Sequence, residues 1–384
     1  MNQTPSLHGP RPVLIVGAGF AGAVYGRTLA EAGWQVEIID RRIHIAGNAH
    51  DAVDANGVRV HTYGPHLFHT QNKEVFDWIS RFGAMVPYRH SVTAQLDDGR
   101  LVPLPVNRRT LEILYDVSLP DAEAVNALLE SVAQPIKNPA NAAEHLLSRI
   151  GPTLTDLFFR PYTRKMWGLE LEDMDASVVR RIPLRHDYTS DYFPDDTYQV
   201  LPRDGYTALF DSILDHPNIS VTLGTAFDKA MQADAHWCFN SMAIDEYFDQ
   251  CFGALPYRSI RFHTQTRPRD QIDGTAVVNY TDDGPMTRET RWALLPSHEV
   301  DRGPDTTVTL EEPCSYEENN FERYYPVKTA DGRFQDVYRR YADEAARHDR
   351  LSFIGRCGTY QYLDMHQVIN QSLVQCRKWI DSQS

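Results

Sequence analysis

Gly17, Gly19 and Gly22 stand in the spacing GxGxxG, and Asp40 follows eighteen residues after the last of them. Each glycine has its own role in such a pattern. The first permits a tight strand-to-helix turn, the second lets the backbone approach a pyrophosphate, and the third lets the helix pack on the strand. The helix N-terminus adds unpaired N–H donors and a positive dipole end. A carboxylate at Asp40 is spaced to bind ribose hydroxyls. The spacing predicts a dinucleotide site.

Other residue groups could carry chemistry. In YGPHLFH (63–69) a Gly-Pro turn sets His66 and His69 either toward a ligand or into a structural role. Phe158, Phe159, Tyr162 and Trp167 recur along one predicted helix. Phe158 and Tyr162, four apart, share a face there. That face is either core or a platform for a flat base, where stacking contributes ~1–3 kcal/mol. Arg180 and Arg181 are a solvated pair unless a diphosphate requires fixed guanidinium forks. The chain offers no carboxylate pair with an obvious nucleophilic role, which points to a cofactor as the carrier of the hard chemistry.

The elements that must hold these residues are legible in outline. VLIVG (13–17) reads as a buried parallel strand, 20–32 as a helix ending near Gly33, and 35–40 as a second strand. From 105 to 185 apolar residues recur at threes and fours, with prolines and acidic caps between segments. Residues 174–195 read in part as a mobile surface loop. RSIRFHTQTR, TAVVNYTD, TRWALLP and TVTLEEP, within 255–327, read as strands of an antiparallel sheet. RLSFIGR (350–356) reads as a further strand and 365–380 as a C-terminal helix. A nucleotide domain built from both ends of the chain, with the helical and sheet parts inserted, explains this order.

The 384 residues suffice for two or three domains. A net charge of −14 argues against nucleic acid as a partner, while a few local arginines still suffice for a small anion. Five scattered cysteines without CxxC read as reduced thiols in a cytoplasmic protein. No apolar run is long enough for a membrane span, and the polar N-terminus lacks the regions of a signal peptide. Asp40 favours an unphosphorylated ribose, which both NAD and FAD present. The small-residue turn in RRIHIAGNA and the strand end FIGR lean to FAD.

In order along the chain, VGAGFAGAV, YGPHLFH, FFRPYTRKMWG, RRIPLR, NYTD, YYP and GRCGTYQYLDM resemble the motifs of bacterial UDP-galactopyranose mutases. The resemblance runs from Val13 to about Ile380. It implies an α/β fold: a Rossmann-like FAD-binding domain (1–85, 200–250 and 335–384), an inserted helical domain (105–190) and an antiparallel β-sheet domain (86–104 and 251–334) with six strands. It implies FAD, active when reduced. Contacts to it would come from Gly17, Gly19, Phe20, Ala21, Gly22, Asp40, Arg41, Ala46, Gly47, Asn48, His66, Leu67, Arg356, Tyr362, Leu363, Asp364 and Met365. Asp364 also reads as a helix cap. Ala46 departs from the family, which usually has glycine there.

The same resemblance implies substrate contacts. Phe158 and Tyr162 match a platform for uracil, and Trp167 a residue close to the sugar nucleotide. Tyr192, Tyr325 and Tyr360 match tyrosines around the diphosphate and sugar, and Asn279 a contact to sugar or base. His90 stands where asparagine is common. Arg181, on the mobile loop, and Arg288 match the two arginines that meet the diphosphate. With His66 these are the implied catalytic residues. The family interconverts UDP-galactopyranose and UDP-galactofuranose, with UDP as an inhibitor and a homodimer as the usual assembly. In the implied mechanism flavin N5 attacks the anomeric carbon, giving a flavin–sugar adduct and an iminium without net redox change. A flavin-dependent amine-oxidase-like oxidoreductase shares the GxGxxG and the strand-end acid. A non-catalytic binding protein of the same fold is a further alternative, and it would lack flavin.

Overall fold

The computed structural model describes residues 11–180, 184–329 and 331–383. Its first sheet grows around Val13–Val16, four apolar residues buried on both faces. Val36–Asp40 pairs on one side and Cys238–Asn240 on the other, with Ile219–Leu223 and Leu351–Phe353 at the edges. Every pairing is parallel. Strand order therefore reverses at Val13–Val16, and ligands of open α/β sheets bind beyond the carboxyl ends of strands at such a point. Helix Phe20–Glu31 packs on the C-terminal helix Met365–Gln383, so the two ends of the chain share one core with Val24, Leu29, Phe210 and Leu373.

Among the described residues the second sheet has seven strands. In spatial order they are Tyr325–Pro326, Tyr257–Pro268, Asp305–Ser315, Arg288–Arg291, Val277–Tyr280, Val92–Gln95 and Leu101–Leu104. All neighbours are antiparallel except Val277–Tyr280 and Val92–Gln95, which run parallel. The short strand Tyr325–Pro326 makes the count seven where six were expected. TRWALLP is not a strand throughout. The ladder stops at Arg291, and Trp292–Leu294 forms a 3₁₀ turn. The turn lets Trp292 bury completely and donate from Nε1 to Thr309 Oγ1 at 2.8 Å.

Register in this sheet creates one row of directly paired residues across five strands: Ala94, Asn279, Arg288, Glu311 and Phe262. Directly paired residues project from the same face. The opposite face carries Glu289 with Arg267, Arg291 and Tyr280.

The helical part comprises Arg108–Tyr115, Ala122–Val132, Ala142–Leu154 and Arg160–Trp167. Asn107, Asp121 and Asn141 cap the first three by accepting from backbone N–H groups. The predicted single aromatic helix is interrupted: Thr155–Phe159 forms a wider π turn before Arg160–Trp167 begins. Pro161 has no N–H to donate to the preceding turn, which accounts for the break. Lys165 donates from Nζ to Tyr280 O and Met286 O, and Arg258 to Met166 O, so the last turn is fastened to the sheet. The segment read as a mobile loop contains a short helix, Ser177–Arg180. Arg181 lies outside the described residues. No helix among the described residues is long and apolar enough to cross a membrane.

Candidate functional site

A cavity of about 350 Å³ opens at the switch point of the parallel sheet. Its floor is the glycine turn. Gly17 has φ +103°, and a Cβ there would meet Ser241 Oγ at 2.0 Å. A Cβ on Gly22 would meet Gly17 O at 1.9 Å, so this turn and helix approach each other only with glycine at both places. Gly19 lies 3.6 Å (from its virtual Cβ) from Gly47 Cα. The first N–H groups of Phe20–Glu31 have no side-chain cap. Bare N–H donors at a helix start, closed in by glycines, suit a phosphate group. The residues present therefore fit a dinucleotide.

Asp40 ends its strand at this cavity and is mostly buried. Its two oxygens accept from Ala18 N and Arg42 N, each at 2.8 Å. The carboxylate thus ties the glycine turn to the strand end, and each oxygen keeps a second lone pair for a ribose hydroxyl. Ala46 adopts φ 71°, the left-handed region that favours glycine. Its N–H donates to Ala18 O at 3.0 Å, so the strained turn holds the cradle from the other side.

Most of the residues predicted for the cofactor line the cavity: Gly17, Gly19, Phe20, Ala21, Gly22, Asp40, Arg41, Ala46, Gly47, Asn48, His66, Arg356, Leu363 and Met365. Leu67, Tyr362 and Asp364 do not. Leu67 packs against the core cluster, and Asp364 O accepts from Gln367 and Val368 at the start of the C-terminal helix. Sequence reasoning missed Thr225, Phe227, Ser241, Glu322 and Arg323, which also line it. They come from loops after distant strands, and no local motif marks them. Glu322 pairs with both Arg41 and Arg42 at the rim.

The second group of predicted residues gathers beside Arg288. Glu311 accepts from Arg288 Nε at 3.0 Å and Nη2 at 2.7 Å, a bidentate pair with the carboxylate fully buried. Burial works against the guanidinium charge, but Glu311, with Tyr162 and Tyr325, outweighs it and holds Arg288 firmly protonated. Burial pushes the Tyr162 phenol up to about 12, so it remains a donor. Tyr325 stacks on Tyr362 at 5.2 Å, and Trp167 meets both edge-on or tilted. Arg356 lies over the rings of Tyr325 and Tyr362 and binds Tyr324 O and Leu363 O. It therefore joins the cavity to the aromatic group. Asn279 is paired directly with Arg288 and belongs to its face of the sheet.

The turn bearing His66 lies on the same row. A Cβ on Gly64 would meet Phe262 at 2.8 Å and Glu311 Oε1 at 3.1 Å. Burial, with the charges of Arg356 and Arg288, lowers His66 to about 4. His90 is buried; its Nδ1 meets Tyr88 Oη at 3.2 Å, and its ring lies 5.6 Å from Tyr192. Burial, Arg288 and His69 lower it to about 3. His69 is turned aside, with Nδ1 2.5 Å from Asp196 and its ring stacked on Phe193.

Two predicted contacts sit differently. Tyr360 is interior: it has φ 47°, and its hydroxyl lies 2.8 Å from Val327 O and 3.1 Å from Pro256 O. The left-handed residue sends its side chain into the core and leaves Tyr362 beside Tyr325. Phe158 is buried in the helical core cluster, against which partly buried Tyr162 packs. Among the described residues no group of His, Cys, Asp or Glu is arranged to hold a metal.

Residues 157–362 match the family described as UDP-galactopyranose mutase, and residues 15–82 match an NAD(P)-binding Rossmann-like domain. The chain is 36% identical to the dTDP-fucopyranose mutase of Escherichia coli, covering 94% of this chain and 96% of that one. It is 35% identical to a protein of Klebsiella pneumoniae named a probable UDP-galactopyranose mutase, over 96% and 95% of the two chains. The fold is similar to a reduced UDP-galactopyranose mutase, with a TM-score of 0.74, 14% identity and coverage of 97% and 94%. A putrescine oxidase bound to putrescine shares the fold more distantly, at a TM-score of 0.57 with 12% identity over 97% and 99% of the chains. This chain therefore belongs to the UDP-galactopyranose mutase family and is an isomerase.

Proposed function

We propose that this protein interconverts UDP-galactopyranose and UDP-galactofuranose with reduced FAD as its cofactor. The observation that carries the proposal is the placement of Arg288. It is a fixed guanidinium, locked by Glu311, whose charge is felt by Tyr162 and Tyr325 on one side and by the cavity-lining His66 on the other. A diphosphate linked to a flat base and a sugar suits that combination. Arg288 meets the diphosphate with the N–H groups that Glu311 leaves over, and Arg181 is the second arginine proposed for it. Tyr162 stacks on the base. Tyr325 and Tyr362 donate to phosphate or sugar oxygens without adding charge.

The bound reduced flavin supplies a nucleophilic nitrogen for the anomeric carbon without net electron transfer. The protein's part is to hold the leaving UDP. Arg288 and Arg181 stabilise its charge and keep it in place for return. Neutral His66 and His90 add no competing positive charge beside the sugar. Gly17, Gly19 and the N–H groups after them would hold the cofactor's pyrophosphate, and Asp40 its ribose.

The test is turnover of UDP-galactofuranose by dithionite-reduced holoenzyme, followed by chromatography. Interconversion under anaerobic conditions is the expected result. Oxygen consumption coupled to substrate loss by the oxidised holoenzyme, in a separate assay without dithionite, would instead favour the amine-oxidase-like reading. The likeness to the E. coli dTDP-fucopyranose mutase supports a second nucleotide sugar as substrate. Parallel assays with dTDP-fucopyranose decide which is preferred.

A further inference from the structure

Three histidines, two of them five residues apart and the third from a distant part of the chain, form one hydrogen-bonded chain that ends at the cofactor cavity. His61 closes the strand Arg59–His61, His66 follows the Gly64-Pro65 turn, and His298 follows the turn at Trp292–Leu294. His61 and His298 are almost completely buried, and their Nε2 atoms lie 3.0 Å apart. Trp292 stacks parallel to His298 at 6.2 Å and lies 4.9 Å from His61, with the edge of Tyr206 on the other side.

Each proton in this chain has one possible place. His298 Nδ1 is 2.8 Å from Pro296 O, and a carbonyl only accepts, so Nδ1 carries the proton. His61 Nδ1 accepts from the backbone N–H of His66 at 3.0 Å, so it carries none. Neutral His61 is therefore protonated at Nε2 and donates to the bare Nε2 of His298. His66 Nδ1 is 2.8 Å from Gly64 O and donates to it, which leaves its own Nε2 bare. His66 lines the cofactor cavity and feels the charges of both Arg356 and Arg288.

We propose that His61 and His298 are positioning residues, which fix the 63–66 turn and present His66 Nε2 to the cofactor as an uncharged hydrogen-bond acceptor. An extra proton on His61 Nδ1 would oppose the His66 N–H. One on His298 Nε2 would oppose the His61 N–H. Burial first, and then the neighbouring cations, keep such protons out. Arg59 reaches toward His61, and Arg288 and Arg356 face His66. The carboxylate of Asp51 acts the other way on His66 and His298 but already accepts from Tyr206 N and Thr207 N. A reduced flavin bears one more N–H than an oxidised one, so an acceptor at this place favours the reduced form. That last step rests on the proposed flavin reading, whereas the proton arrangement does not.

Two measurements test the proposal separately. Imidazole ¹⁵N spectra of histidine-labelled holoenzyme at pH 7.5, assigned with single variants, should show His61 neutral and protonated at Nε2. They should show His298 and His66 neutral and protonated at Nδ1. An imidazolium or the opposite tautomer at any of the three overturns the chain. The second is the flavin reduction midpoint in His298→Gln and His298→Phe. Gln keeps an acceptor at the Nε2 place and should leave the midpoint unchanged. Phe should lower it, with the fold intact by circular dichroism. An unchanged midpoint in folded His298→Phe overturns the positioning role. If that variant does not fold, His298→Leu or the ¹⁵N tautomers decide. Protein that binds no FAD at all refutes the flavin reading and leaves the tautomers to decide the chain.

Discussion

Arg288 and Glu311 stand directly opposite on neighbouring strands, and the buried carboxylate takes two N–H groups of the guanidinium at 3.0 and 2.7 Å. The arginine is thereby aimed before any ligand arrives, so little entropy is lost when it meets a diphosphate. Arg288→Ala is expected to abolish most turnover while FAD stays bound. Arg181→Ala is expected to do the same. Glu311→Gln strands a buried charge and should cost about 3 kcal/mol of stability and lower kcat/KM at least roughly tenfold, ~1.4 kcal/mol. Steady-state kinetics with flavin absorbance check all three. Near-normal turnover in any of them refutes the diphosphate assignment.

Tyr360 and Tyr362 lie two residues apart in different surroundings: the Tyr360 hydroxyl is bonded in the core, and Tyr362 is stacked on Tyr325. Tyr360→Phe removes a buried hydroxyl bonded to backbone carbonyls. It should cost about 1–3 kcal/mol of stability and leave KM nearly unchanged. Tyr162→Ala should act the other way, raising KM by roughly tenfold or more through lost stacking. Denaturation curves and KM values for both variants test the contrast. A large KM effect from Tyr360→Phe would return that residue to the cleft.

Ala46 sits at φ 71° with its methyl buried. Three terms compete in Ala46→Gly. Relief of the left-handed strain gains about 1–2 kcal/mol. Loss of a buried methyl costs about 0.8 kcal/mol, and the greater freedom of glycine in the unfolded chain about 0.5–1 kcal/mol. The sum is near zero, so Ala46→Gly should leave stability and FAD affinity within experimental error. Ala46→Val adds volume and a branched Cβ at the same φ, and should lose FAD. Thermal melts with and without added FAD read out both.

Stability should fall with acid in a defined window. His66 titrates at about 4 and His90 at about 3, both below the ordinary histidine value, because burial and Arg288 disfavour their charged forms. His61 and His298 are shifted the same way by burial. The unfolded chain therefore binds protons that the folded chain refuses. Stability is level above about pH 6.5 and declines as pH falls toward 4, by up to about 1.4 kcal/mol per pH unit for each such histidine. Guanidinium unfolding of holoenzyme between pH 8 and 5 measures this. A midpoint that does not move between pH 6.5 and 5 contradicts it.

The glycine cradle, Asp40, the aromatic run and the helical segments are legible in the sequence because each is contiguous. A strand, a tight turn and a helix within thirty residues leave their periodicities and glycines side by side. The likeness of motifs in order then pointed to Arg288 and Tyr162. What the sequence does not contain is which residues meet across it. Asn279, Arg288, Glu311 and Phe262 share a row only because four strands pair in one register. His61 and His298 touch across 237 residues. Whether Tyr360 or Tyr362 lies beside Tyr325 depends on a single left-handed residue. Local spacing determined that a dinucleotide is held, since that cradle is one turn of backbone. Tertiary structure decided how the arginine is aimed and which proton each buried histidine carries, since both depend on partners supplied by distant strands.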